Sequence, residues 1–221
     1  MFGPVTGARR RPARRGVGRL AAGGAACMAV LALTSGSALG ATPFVQVAAS
    51  RDHTCGIVSG GTVKCWGYNH SGELGNGSHT NSSGPVDVQG ITTATSVAVG
   101  ISSSCAVLSS GTVKCWGYND SSGGALGDGS TTGSTTPVTV QGITTAIGVT
   151  AGEGNGGEAG GCALLSSGAV KCWWSSTSGN HLPADVPGIS TATAISGSRP
   201  CARLSSGAVT CWDHNAVTGA N

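Results

Sequence analysis

The chain has 221 residues, of which 39 are Gly, 10% are charged and 4% are aromatic, and its formal net charge is +3. Six of the 12 basic residues lie before Gly40, so the remainder sets six basic side chains against nine acidic ones and has no basic patch with which to hold nucleic acid. The Gly content alone would fit a low-complexity linker, but Val, Ile, Leu and Trp return at fixed offsets, a pattern that disordered chains lack.

The N-terminal segment carries Arg9, Arg10, Arg11, Arg14 and Arg15, then an apolar run from Leu20 to Leu33, then the small-residue string SGSALGA. This reads as a secretory signal peptide over residues 1–40, too short in its apolar part for a membrane span, with cleavage after Gly40. The arginine doublets hint at the twin-arginine route, although the hydrophobic residues that should follow a doublet are missing. Cys27 lacks the preceding aliphatic residue of a lipoprotein box. Cleavage would leave residues 41–221 with eight of the nine cysteines, an even set that suits an oxidising destination.

Those eight cysteines mark a repeat. Residues 55–77 read CGIVSGGTVKCWGYNHSGELGNG, and residues 105–129 return as CAVLSSGTVKCWGYNDSSGGALGDG. The unit returns shortened as CALLSSGAVKCWW at 162 and CARLSSGAVTCWD at 201. Each unit holds a Cys, nine residues, a second Cys and a Trp, and such self-similarity marks stacked supersecondary units. β-branched residues flank a Ser/Gly turn in each, as Ile57-Val58 and Thr62-Val63 flank Ser59-Gly60-Gly61, which predicts a β-hairpin. A hairpin centred on Gly60 sets Cys55 opposite Cys65 and Ile57 opposite Val63. Cross-strand disulfides Cys55–Cys65, Cys105–Cys115, Cys162–Cys172 and Cys201–Cys211 are then geometrically natural. Zinc competes for paired cysteines, but the nine-residue gap does not match its tight knuckles.

Around the hairpins the chain runs VQVAAS, hairpin, polar loop, PVDVQGI; then SVAVG, hairpin, longer loop, PVTVQGI. The third unit runs IGVTAG, an inserted Gly-rich loop, hairpin and VPGI, and the fourth runs AISGS and its hairpin alone. The expectation is all-β: β-propeller-type blades of four antiparallel strands at about 45–94, 95–145 and 146–191 with a partial fourth at 192–213, not closed as a monomer. Strands rich in Ala, Gly and Ser before each hairpin suit a crowded axis. Unpaired edges would favour self-association or a partner that completes the array.

The strings CWGYNHSGELGNG and CWGYNDSSGGALGDG, with PVDVQGI and PVTVQGI downstream, resemble the regulator-of-chromosome-condensation repeat, particularly its cysteine-bearing bacterial secreted form, over about residues 45–213. The resemblance implies propeller blades, which the family assembles in sevens; this chain departs in blade number, and copies three and four lack the Leu-Gly-x-Gly of Leu74 to Gly77 and Leu126 to Gly129. A secreted β-lactamase inhibitor of the same repeat shape illustrates what such a propeller can do. The eukaryotic namesake, an exchange factor for a small nuclear GTPase on chromatin, fits poorly with a signal peptide and an acidic mature chain.

Trp66, Trp116, Trp173 and Trp212 stand beside the second Cys of each unit, which points to packing between blades over a sugar-stacking row. The five His recur at no fixed repeat position and read as loop or strand-end residues, and Glu73, Asp120 and Asp128 fit no calcium-loop spacing. No nucleophile, base and acid assemble, and no cofactor motif is present, so the expectation is a protein that is not an enzyme, with no cofactor and no metal. The loops are where the copies diverge. The predicted binding face carries Tyr68, Asn69, Glu73, Tyr118, Asn119, Asp120 and Trp174, directed at another protein, with enzyme inhibition or carbohydrate binding as the alternatives and an envelope structural role as a further class.

Overall fold

Each Cys-to-Cys stretch folds as the hairpin that its alternating β-branched residues dictate. The computed structural model describes residues 43–119, 124–152, 160–174, 182–197 and 200–212, all within the unit Ala41–Asn221. Among them every regular element is a strand. Blade 1 is β1 (Phe44–Ala49), β2 (His53–Val58), β3 (Val63–Gly67) and β4 (Ser82–Asp87). Blade 2 is β5 (Ala94–Val99), β6 (Ser103–Leu108), β7 (Val113–Gly117) and β8 (Ser134–Thr139). Blade 3 is β9 (Ala146–Ala151), β10 (Gly160–Leu165), β11 (Val170–Trp174) and the short β12 (Ala184–Asp185). Blade 4 has three strands among the described residues, β13 (Ala192–Ser196), β14 (Cys201–Leu204) and β15 (Val209–Cys211). Strands within each blade pair in chain order and antiparallel. The blades form an open array.

The hairpin register is the one the sequence predicts: Cys55 faces Cys65 and Ile57 faces Val63, with Cys105–Cys115, Cys162–Cys172 and Cys201–Cys211 in the same place. All four pairs are disulfide-bonded, with Cα separations of 3.9 to 4.1 Å, near the close approach of directly opposed residues that exchange no backbone hydrogen bonds. The turn glycine does a second job. Gly111 sits at φ 81° and a Cβ there would collide with the Thr144 carbonyl of the link into blade 3. That close approach lets the Gly111 carbonyl accept from Ala146 N at 3.0 Å, as Gly61 does from Ala94 N at 2.8 Å and Gly168 from Ala192 N at 2.9 Å. The hairpin turns of blades 1 to 3 therefore each grip the first strand of the next blade.

Innermost strands lie against one another, β1 on β5, β5 on β9 and β9 on β13, which explains their small residues. Gln46 on β1 spans this junction, its amide accepting from Val97 N at 3.1 Å and donating to Val97 O at 3.3 Å. The core is split into three, one between each pair of blades. The first joins Cys55, Cys65, Ile57, Val63 and Leu74 of blade 1 to Val97, Ala106 and Trp116 of blade 2. The second repeats this with the Cys105–Cys115 pair, Leu126 and Trp173, and the third with the Cys162–Cys172 pair, Trp174, Ala202 and Trp212. A disulfide of one blade thus always meets the Trp of the next.

The outward face of blade 1 departs from this plan. Where blades 2 to 4 start with Ala94, Ala146 and Ala192, blade 1 has Phe44, and where they have Ala106, Ala163 and Ala202 it has Gly56. The exchange is coupled: a Cβ on Gly56 would strike the Phe44 ring, which lies with its centroid 5.6 Å from that of Trp66. Phe44 thus covers the one Trp that has no preceding blade among the described residues. At the other end, the inward Ile57, Val107 and Leu164 are replaced by Arg203, whose Nε donates to Thr193 Oγ1 at 3.2 Å.

Candidate functional site

The Leu-Gly-x-Gly segments are receptors for tryptophan. Trp116 is fully buried and its Nε1 donates to the Glu73 carbonyl at 2.8 Å, while Gly75 lies under the indole, where a Cβ would come within 2.8 Å of Trp116 Nε1. Trp173 repeats this on the Ala125 carbonyl at 3.0 Å, over Gly127. The packing role expected for the tryptophans holds at these two positions, and the sugar-stacking row is lost because Trp116 and Trp173 have no free face. Blade 3 lacks the segment, and Trp212 Nε1 is buried with no hydrogen-bond partner among the described residues. Trp174, at the repeat position of Gly67 and Gly117, is buried in the third core.

The long loops are built around one side chain each. Asn69, with no exposed surface, accepts from Leu74 N at 2.8 Å and donates to the Ser78 and Thr80 carbonyls at 2.9 and 3.0 Å. Asn119 does the same in blade 2, accepting from Ala125 N at 2.7 Å and donating to the Ser130 carbonyl at 3.0 Å. Glu73 is buried too, with one carboxylate oxygen accepting from Ser71 N at 2.9 Å. An amide that can accept and donate at once satisfies the loop's own backbone, which a buried loop must do.

The predicted binding face therefore separates into two groups. Asn69, Glu73, Asn119 and Trp174 are interior residues that shape loops and junctions, a correction to their expected place at the surface. Tyr68 and Tyr118 are exposed, at 41% and 39%. They occupy the same repeat position one blade apart, and each is fixed by its own N–H, Tyr68 to the Asp52 carbonyl at 2.9 Å and Tyr118 to the Ser102 carbonyl at 2.8 Å. The Tyr68 ring also lies 4.5 Å from that of His70, and His79 Nδ1 donates to the His70 carbonyl at 2.9 Å. Arg51 and Asp52 pair at 2.8 Å beside Tyr68, and the guanidinium hydrogen bond holds the Asp52 carboxyl below its usual range. Asp120 lies outside the described residues.

His53 was legible only as a loop or strand-end histidine. It begins β2 but is buried, and its Nε2 is 2.8 Å from Ser104 Oγ of blade 2. Ser104 Oγ in turn donates to the Glu73 carbonyl at 3.1 Å, which leaves His53 Nε2 as the donor to Ser104. Burial pushes the His53 pKa down to about 4, partly opposed by the charge of Asp52. Blade 2 has Ser103 at this position, so no repeated signal could have announced the histidine. Among the described residues no group of three or more His, Cys, Asp or Glu side chains could hold a metal ion, and no helix is long and apolar enough to cross a membrane.

Stacked four-stranded antiparallel blades, each innermost strand against the next, define a β-propeller-type repeat protein. The model of the Regulator of chromosome condensation (RCC1) repeat matches residues 44–73 and 94–122, and a second model of that repeat matches residues 60–107. Together these matches fall within residues 44–122, fewer than half of the chain, and the four-stranded blades there resemble the RCC1 repeat. It is similar in fold to human WBSCR16, with a TM-score of 0.65 and 21% identity over 79% of this chain and 48% of that one. It is similar to yeast RCC1 (Prp20) in its complex with Kap60, with a TM-score of 0.62 and 16% identity over 79% of this chain and 44% of that one. The ectodomain of the Physcomitrella patens receptor kinase CR4 gives 0.51 and 20% over 80% and 43%. The chain thus spans a little under half the length of these structures. No curated protein matches it by sequence.

Proposed function

We propose that the chain is an exported, non-catalytic module that binds another protein through the rim carrying Tyr68 and Tyr118. One observation carries this reading: two half-exposed tyrosines stand at one repeat position on adjacent blades, each pinned by its backbone and flanked by a loop whose length and sequence differ between blades. Rigid aromatic side chains give large contact area at low entropic cost. Asn69, Asn119 and Glu73 act in this reading by holding the loops that flank the tyrosines. Protein recognition by the fold has a precedent in yeast RCC1, which is bound to Kap60.

Export is supported by the signal-like N-terminus and by four disulfides, which persist only where thiols are not kept reduced. Inhibition of a secreted enzyme would be one form of the same activity. The test is photo-crosslinking. A benzophenone amino acid at position 68 or 118 should yield one common adduct from native secretions, whereas the same label at Ser59 or Ser109, in the hairpin turns, should not. Equal adducts from all four positions would remove the rim from the proposal.

A further inference from the structure

Two turns built on one plan differ at a residue that decides their chemistry. After Leu74 the chain reads Gly75-Asn76-Gly77-Ser78, and after Leu126 it reads Gly127-Asp128-Gly129-Ser130. The turns bond alike. Asn76 Oδ1 accepts from Ser78 N at 3.1 Å and from Ser78 Oγ at 2.9 Å. In blade 2 the two Asp128 carboxylate oxygens divide this work, accepting from Ser130 N and Ser130 Oγ at 3.0 Å each. The main-chain carbonyls of both residues accept from a glutamine, Gln89 Nε2 at 2.9 Å and Gln141 Nε2 at 2.6 Å.

The glycine that follows cannot be exchanged. Gly77 has a φ of 83°, and a Cβ on it would come within 2.6 Å of Gln89 Nε2; Gly129 has a φ of 81°. Blade 1 is therefore committed to an Asn-Gly pair, in which no Cβ shields the asparagine side chain from attack by the next backbone nitrogen. The electrophile is already polarised, because the two Ser78 donors hold Asn76 Oδ1, where negative charge develops as Cγ is attacked. The nucleophile is restrained. Gly77 N–H donates to the Thr135 carbonyl of β8 at 2.9 Å, across the junction between blades 1 and 2. Gly72 lies against the same residue, so closely that a Cβ there would be 2.7 Å from Thr135 Cα. Asn76 is half-buried and Gly77 exposed, so water reaches the turn.

We propose that Asn76 is a self-modification site, converting from amide to acid, and that the bond from Gly77 to Thr135 is the latch that controls it. When the junction opens, Gly77 N gives up its proton and bonds to Asn76 Cγ, the Cγ–Nδ2 bond breaks, and the nitrogen leaves with a proton as ammonia. Water then opens the cyclic imide. Opening at Cγ gives an ordinary aspartate, whose two oxygens suit the bonds that Asp128 makes in blade 2. Opening at the main-chain carbonyl routes the backbone through the side chain, lengthens it by a methylene and displaces Gly77 from Thr135. Both products add a negative charge to the loop that follows Tyr68.

The test holds the whole chain, disulfides formed, at mildly alkaline pH and follows Asn76 and its two acidic products by peptide mapping over time. A synthetic peptide of residues 72–80 gives the rate without the latch. We expect the folded chain to convert at Asn76 about tenfold or more slowly than the peptide, as a site that reacts only from a locally opened state must. The second Asn-Gly pair, Asn155-Gly156, lies outside the described residues and is scored separately in the maps. Urea below the unfolding transition should speed conversion of Asn76 in step with hydrogen exchange of the Gly77 amide, and Gly72→Ala, which pushes on Thr135, should act in the same direction. Asn76→Asp should keep the four disulfides and the urea midpoint, because blade 2 already carries this residue in the same turn. Conversion as fast in the chain as in the peptide, conversion that does not follow exchange at Gly77, or loss of the fold in Asn76→Asp would overturn the proposal.

Discussion

Acidification should loosen the junction between blades 1 and 2 through His53. In the folded chain this imidazole is buried against Ser104 and resists protonation down to about pH 4, whereas its ordinary value is 6.5. Above 6.5 the group is neutral whether the chain is folded or not and has no effect on stability. As the pH falls from 6.5 towards 4 the unfolded chain takes up a proton that the folded chain refuses, so stability declines through that window and levels off below it. At about 1.36 kcal/mol per pH unit, the interval between 6.5 and about 4 corresponds to a loss on the order of 3 kcal/mol. Urea unfolding at a series of pH values between 7.5 and 4 measures it. His53→Gln keeps a donor for Ser104 and cannot titrate, so the difference in stability between the two proteins should change across this window by that amount. Parallel pH profiles for the two proteins would refute the buried, neutral assignment.

Other perturbations test the junctions directly. Gly75→Ala puts a Cβ within 2.8 Å of the Trp116 ring at a φ of 63°, and should cost about 2 kcal/mol or more in thermal unfolding with a change in tryptophan emission. Replacing Cys105 and Cys115 together with Ser should cost about 2.5 to 3 kcal/mol by loop-closure entropy, and non-reducing peptide maps of the native chain should give links within hairpins only. Phe44→Ala should uncover Trp66, shifting its emission to the red and making it accessible to iodide, while the quenching of Trp116 and Trp173 stays as it was.

The sequence carried the hairpins in full because two independent signals, period-two alternation and a fixed Cys offset, require the same register. It also carried the division into blades, since Pro-Val-x-Val-Gln-Gly-Ile follows the loop in each of the first two units and a shortened return to Val-Pro-Gly-Ile follows in the third. The site was less legible. An Asn in a Gly- and Ser-rich loop reads the same whether it faces a partner or staples the loop, and Asn69 and Asn119 do the latter. Trp174 reads as an extra surface aromatic, yet it is buried in the third core, and its counterparts Gly67 and Gly117 in the other copies give no sign of that. The exchange of Ala for Phe at position 44 and of Ala for Gly at 56 is a pair across two strands, and pairing partners cannot be seen in one copy of a repeat.

The claim that the tyrosine rim is the working surface is tested most directly by the affinity of the crosslinked partner, once purified, for the wild-type chain and for the variant carrying Tyr68→Ala and Tyr118→Ala. Both side chains are exposed, so the variant should keep its four disulfides and its circular dichroism spectrum. The account predicts a loss of about 30-fold or more, the scale of a central aromatic contact. An unchanged dissociation constant in a correctly folded variant would contradict it.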